Sequence, residues 1–134
     1  MEKVMLILRE IEIFHPYKDE FPEVLLVDAA ATEACLDQWR NAEILRIAKR
    51  GEEILGCYAM TRLSENEFRL FGVTVQHNVR KQGLGRWVVG HAIGVAESKG
   101  AREISIENIG SSRCLGRIGF ERGDGKWTFS MIQE

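Results

Sequence analysis

The stretch from Glu67 to Lys99 constrains the fold most, because a strand-like run, a polar loop with glycines and a helix-like run follow one another without interruption. Glu67 to Val75 (EFRLFGVTV) reads as a strand, with Phe68, Leu70, Gly72 and Thr74 alternating against Glu67, Arg69, Phe71, Val73 and Val75. Leu84 to Lys99 places Leu84, Val88, Ala92, Val95 and Ala96 on one helical face and stops at Gly100. Between them, Arg80-Lys81-Gln82-Gly83-Leu84-Gly85 leads directly into the helix N-terminus. That context suits an anion. The unpaired N–H groups of a first helical turn point outward, the helix dipole adds partial positive charge, and glycine lets an oxygen approach the backbone. Arg80, Lys81 and Arg86 add full charges, although the glycines also fit a plain strand-to-helix turn and Arg86 also fits a solvated helix face.

Two common phosphate motifs fail on the residues. A dinucleotide GxGxxG needs glycine three places after Gly85, where Val88 stands. A Walker A loop needs Lys-Ser/Thr after Gly90, where His91-Ala92 stands.

The rest of the chain alternates strands and helices. Val4 to Phe14 reads as a first strand ending at His15-Pro16, and Pro22 to about Trp39 is helical with a restart near Thr32. Glu43 to Lys49 and Glu53 to Leu63 form a hairpin across Arg50-Gly51-Glu52. After the central unit, Ala101 to Ile106 is a fifth strand, Ser111 to Ile118 a short helix before Gly119, and Phe120 to Arg122 with Trp127 to Ile132 a terminal hairpin. This order predicts an α/β (α+β) fold whose mixed sheet is flanked by helices, in a single domain spanning residues 1–134.

Composition narrows the function. With 18 basic and 20 acidic residues the net charge is -2, which argues against a sequence-independent nucleic-acid binder. No run approaches the roughly 18 apolar residues of a membrane span, and the first residues lack a signal peptide's long apolar segment, so a cytoplasmic protein with no membrane partner is expected. Cys35, Cys57 and Cys114 make neither a disulfide framework nor a CxxC motif, and are expected as buried or neutral thiols. His15, His77 and His91 have no acidic or cysteine partner at metal-ligand spacing, so no metal is expected. Trp39, Trp87 and Trp127 are scattered and read as core residues.

What remains resembles the acyl-CoA signature of the GNAT acetyltransferase superfamily, [Q/R]-x-x-G-x-[G/A], here Arg80, Gly83 and Gly85. The resemblance is nearly continuous from Glu67 to Phe120: Val73-Thr74-Val75 fits the family's splayed fourth strand, and Asn108 and Leu115 to Phe120 resemble its Asn and terminal Gly-Phe element. It implies a mostly antiparallel sheet with strands 4 and 5 splayed, and acetyl-CoA as co-substrate. The backbones of Val73 and Val75 would hold the pantetheine arm. The amides from Gln82 through Gly83, Leu84 and Gly85 to Arg86 would hold the pyrophosphate, with Arg80 and Lys81 beside it, and Asn108 would face the pantetheine or its thioester.

Transfer of an acetyl group to an amine needs a base for the amine proton and an acid for the leaving thiolate. Glu67 resembles the family's general-base glutamate, and also fits an exposed strand-end carboxylate. Where many relatives carry a tyrosine as acid this chain has Leu115, which cannot donate a proton; Cys114 beside it is a candidate, though it also fits a buried helix thiol. A phosphate-binding domain for some other nucleotide is disfavoured by the two failed motifs, and two functions lead. One is an N-acetyltransferase acting on a small-molecule or protein amine by direct attack. The other, favoured by Leu115, is a weak or inactive acetyl-CoA-binding regulator that docks on a partner protein. Exposed sheet edges would also let the chain pair as a homodimer.

Overall fold

A computed structural model describes residues 11–16, 20–28, 33–79, 83–107, 113–123 and 125–131. In chain order these form β1 (Glu12–Phe14), α1 (Glu23–Asp28), α2 (Glu33–Arg40), β2 (Ile44–Arg50), β3 (Glu53–Arg62) and β4 (Glu67–Val75). Then follow α3 (Leu84–Ser98), β5 (Glu103–Glu107), α4 (Arg113–Ile118), β6 (Glu121–Gly123) and β7 (Lys126–Ser130), with one 3-10 turn at His77–Val79 ahead of α3. The strand expected from Val4 is described only at its end, the rest lying outside the described residues. No helix among the described residues is long and apolar enough to cross a membrane.

The strands form one sheet in the order β1-β2-β3-β4-β5-β7-β6. Every neighbouring pair is antiparallel except β4 and β5, which run parallel because α3 connects them as a crossover. The sheet is therefore mixed, as the element order predicts, and mostly antiparallel, as the family resemblance implies.

Each face of the sheet carries its own core. On one, the stripe Leu84, Val88, Val89, Ala92 and Ala96 of α3 is buried against Tyr58, Met60, Phe68, Leu70 and Ile104. On the other, Leu25 and Leu26 of α1 and Leu36 and Trp39 of α2 pack on Ile47, Cys57 and Ala59. Trp39 and Trp127 are core residues as expected, but Trp87 is not: it lies off the buried stripe of α3, beside exposed Arg86 and Gly90, and is 36% exposed. β5 also starts two residues later than the sequence suggests. The Ala101 N–H is already bonded to the Ala96 carbonyl, closing α3 around the left-handed Gly100, so Ala101 belongs to the helix stop.

The alternation expected along β4 holds only to Leu70. Leu70 faces Met60 of β3 and Gly72 faces the adjacent Ala59, so Phe71 is an extra residue and the strand bulges there. Beyond it the faces exchange: Val73 and Val75 turn to the α3 core, whereas Phe71 packs into the α1–α2 core. Trp39 backs the bulge. Its ring meets Phe71 edge-on at 6.0 Å and lies so close to Gly72 that a Cβ there would fall 2.1 Å from Trp39 Cζ2. Only glycine fits beneath that ring.

Candidate functional site

β4 and β5 are paired at three positions only, Glu67 with Glu103, Phe68 with Ile104 and Arg69 with Ser105. Past that vertex they part. Residues 70–75 of β4 stay on β3, while Ile106 and Glu107 of β5 stay on β7. At a rise of roughly 3.3 Å per residue β4 continues about 20 Å past the vertex, and a parallel pair has no local hairpin to hold the two strands together there.

The N-terminus of α3 stands at the open end of the slot between the two strands. Gly83 occupies the cap position at φ +88°, a left-handed conformation that L side chains rarely adopt, and no side chain among the described residues caps the helix. The first turn presents its outward N–H groups beside exposed Arg86, with no acidic residue in that turn. A Cβ on Gly85 would lie 3.8 Å from Val75 Cγ2, so the helix start packs on the last residue of β4. Val75 and Gly85 are thus neighbours, with Val73, Gly83, Leu84 and Arg86 each within two residues of that contact. Arg80, Lys81, Gln82 and Asn108 lie outside the described residues, as do the side chains of Cys114 and Leu115 on α4.

Glu67 belongs to the closed end. Its side chain is a quarter exposed, Ser105 Oγ donates to Oε2 at 3.2 Å, and Lys126 Nζ stands 3.8 Å from the same oxygen. Ser105 is buried and is the last β5 residue paired with β4, so its hydroxyl draws the carboxylate to the vertex of the slot. Sequence reading singled out Glu67 and missed both partners, which lie on other strands.

It also missed a polar pair beneath α3. The buried Tyr58 hydroxyl and Nδ1 of half-buried His91 share a hydrogen bond of 2.8 Å. Burial holds the phenol well above its ordinary range, and burial together with nearby Arg46 holds the imidazole below its own. Cys57 is buried among apolar neighbours, which pushes its thiol up to about 12. His77 is exposed in the 3-10 turn, in keeping with a surface residue.

A cavity of about 280 Å³ opens at the far end of β4, on the α1 side, lined by Phe21, Pro22, Val24, Leu25, Glu52, Ile54 and Gln76. Gln76 directly follows β4, and its Oε1 is buried with no hydrogen-bond partner among the described residues.

A parallel strand pair that parts beside a glycine-led helix is the arrangement that the family resemblance implies. A sequence model of the acetyltransferase (GNAT) family matches residues 10–120. The chain belongs to the GNAT acetyltransferase family. No curated protein matches its sequence. Among solved structures, a GNAT family acetyltransferase from Elizabethkingia anophelis with acetyl-CoA bound is 21% identical, with a TM-score of 0.82 over 91% of this chain and 99% of that one. An IAA acetyltransferase from Bacillus cereus is 19% identical, with a TM-score of 0.76 over 85% and 79%. A Bacillus subtilis acetyltransferase in complex with CoA is 20% identical, with a TM-score of 0.72 over 91% and 98%.

Proposed function

We propose that this protein is an acetyl-CoA-dependent N-acetyltransferase of the cytoplasm, moving the acetyl group to an amine by direct attack. The observation that carries the reading is the parting of β4 from β5 with the glycine-led start of α3 at its open end. The slot takes the pantetheine arm against the backbone of Val73 and Val75. The first-turn amides of Gly83, Leu84, Gly85 and Arg86 take the pyrophosphate, with Arg80, Lys81 and Gln82 completing the loop. Asn108 faces the thioester, Glu67 accepts the proton of the attacking amine, and Cys114 is the candidate donor to the leaving thiolate. No step calls for a metal. The acceptor is an amine, on a small molecule or a protein, and the exposed edge strand β6 offers a second copy a place to pair.

A second reading, an acetyl-CoA sensor that docks on a protein partner, is favoured by Leu115, which supplies no proton. Thermal unfolding against CoA and acetyl-CoA tests the shared foundation. Ligand at about one hundred times its dissociation constant adds roughly 2.7 kcal/mol of stability. Absence of a saturable shift with either ligand would remove both readings. With a shift in hand, release of free thiol on adding an amine separates the enzyme from the sensor.

A further inference from the structure

The Glu67 carboxylate already has an amine beside it. Lys126 opens β7 opposite Glu107, in the stretch of β5 that has left β4, yet its Nζ reaches back to within 3.8 Å of Glu67 Oε2. Ser105, at the vertex, donates to that same oxygen. By strand alternation Glu67 and Arg69 point away from the α3 face to which Phe68 and Leu70 belong, so this amine and carboxylate share the face opposite the long helix. Lys126 is 41% exposed, enough for its stem to swing, and it is tethered. A tethered amine held beside a carboxylate at the blind end of a thioester slot has the advantage of an intramolecular nucleophile.

We propose that Lys126 is an acetylation site of the protein itself, modified in cis by the acetyl-CoA it binds. The inference rests on the acetyl-CoA reading above. In the reaction the Lys126 ammonium gives one proton to the Glu67 carboxylate, and the neutral Nζ attacks the acetyl carbonyl carbon. An N–C bond forms, the thioester C–S bond breaks, and CoA leaves as a thiolate. The nitrogen sheds its second proton as the amide forms; one proton neutralises the thiolate and one passes to solvent. Acetylation removes the positive charge from Lys126 and so frees the Glu67 oxygen for the ammonium of an external acceptor.

The experiment incubates the purified full chain with acetyl-CoA and no acceptor, and follows intact mass and peptide maps with time. Lys99, exposed at the end of α3, is the internal reference for chemical acetylation. Lys126 should gain one acetyl group roughly a hundredfold faster than Lys99, the scale of a positioned base. Its first-order rate should be independent of protein concentration, and Glu67→Gln, which keeps the shape of the side chain, should slow it. Lys126→Arg should abolish that site while leaving Lys99 unchanged. Thermal shift with acetyl-CoA is recorded on the same samples. A shift without preferential Lys126 acetylation, a rate proportional to protein concentration, or a rate unaltered in Glu67→Gln would overturn the proposal and leave the acetyl-CoA reading standing. No shift at all would overturn both.

Discussion

Replacing Gly72 by alanine tests the coupling between the α1–α2 layer and the bulged strand. The added Cβ would lie 2.1 Å from Trp39 Cζ2 and 2.8 Å from Cε2, whereas non-bonded carbons settle at about 3.5–4.0 Å. The ring would have to withdraw by about 1.4 Å. It has little room, being 6% exposed and braced edge-on by Phe71. Overpacking of this kind costs about 1–3 kcal/mol, and the upper part of that range applies where the obstacle is a rigid buried ring. For a chain of 134 residues one kcal/mol moves the midpoint by about 3.5 °C. Thermal unfolding of Gly72→Ala should therefore fall by about 7–10 °C. Trp39→Leu removes the colliding atoms and leaves a cavity, costing about 2–5 kcal/mol by itself, but in that background Gly72→Ala should cost nothing and relieve the strand of glycine's excess entropy. The cycle should thus show a coupling of about 2 kcal/mol or more. Additive losses, or a single-variant midpoint within about 2 °C of the parent, would refute the claim that the ring dictates glycine here.

Gly83→Ala should lose about 1–2 kcal/mol of stability because its φ is +88°. Gly83→Asp should in addition abolish the acetyl-CoA-dependent thermal shift while the apo domain still unfolds cooperatively. Burial and nearby Arg46 hold the folded His91 imidazole below its ordinary value of 6.5, so the unfolded chain binds the extra proton first. That contribution is whole above pH 6.5 and drains away as pH falls through the folded value, so the midpoint of the parent should fall more steeply on acidification than that of His91→Gln. Equal slopes in a melting series from about pH 7.5 to 5 would contradict this assignment. Cys57, its thiol pushed up to about 12, should resist alkylation in the native protein and react at once after unfolding, as read by mass; rapid native labelling at Cys57 would show that its strand opens.

Legibility in the sequence followed the range of the interaction. β4 begins and ends where the sequence places it, since turn residues bound it on both sides, and the start of α3 needs only a glycine and the apolar stripe behind it. The proposed pyrophosphate contact is local for the same reason, needing a glycine cap and one helical turn. The bulge at Phe71 is not local. EFRLFGVTV alternates correctly as an isolated strand, and only pairing with β3 and the Trp39 ring from α2 decide that Phe71 is passed over and that Val73, not Gly72, faces α3. Trp87 misled because composition cannot tell which edge of a helix meets the sheet. The closed end of the slot was half read. A strand-end glutamate is visible as a carboxylate, but Ser105 comes 38 residues later and Lys126 from β7, which pairs with β5 only after the chain has passed through α4 and β6. Tyr58 and His91, 33 residues apart, are hidden in the same manner. The proposed cofactor-facing part of such a site is encoded in a short motif, because phosphate binding needs backbone and one helix end. The acceptor-facing part depends on which side chains three separate strands bring to one vertex, and Lys126 acquires a chemical meaning only when the sheet places it against Glu67.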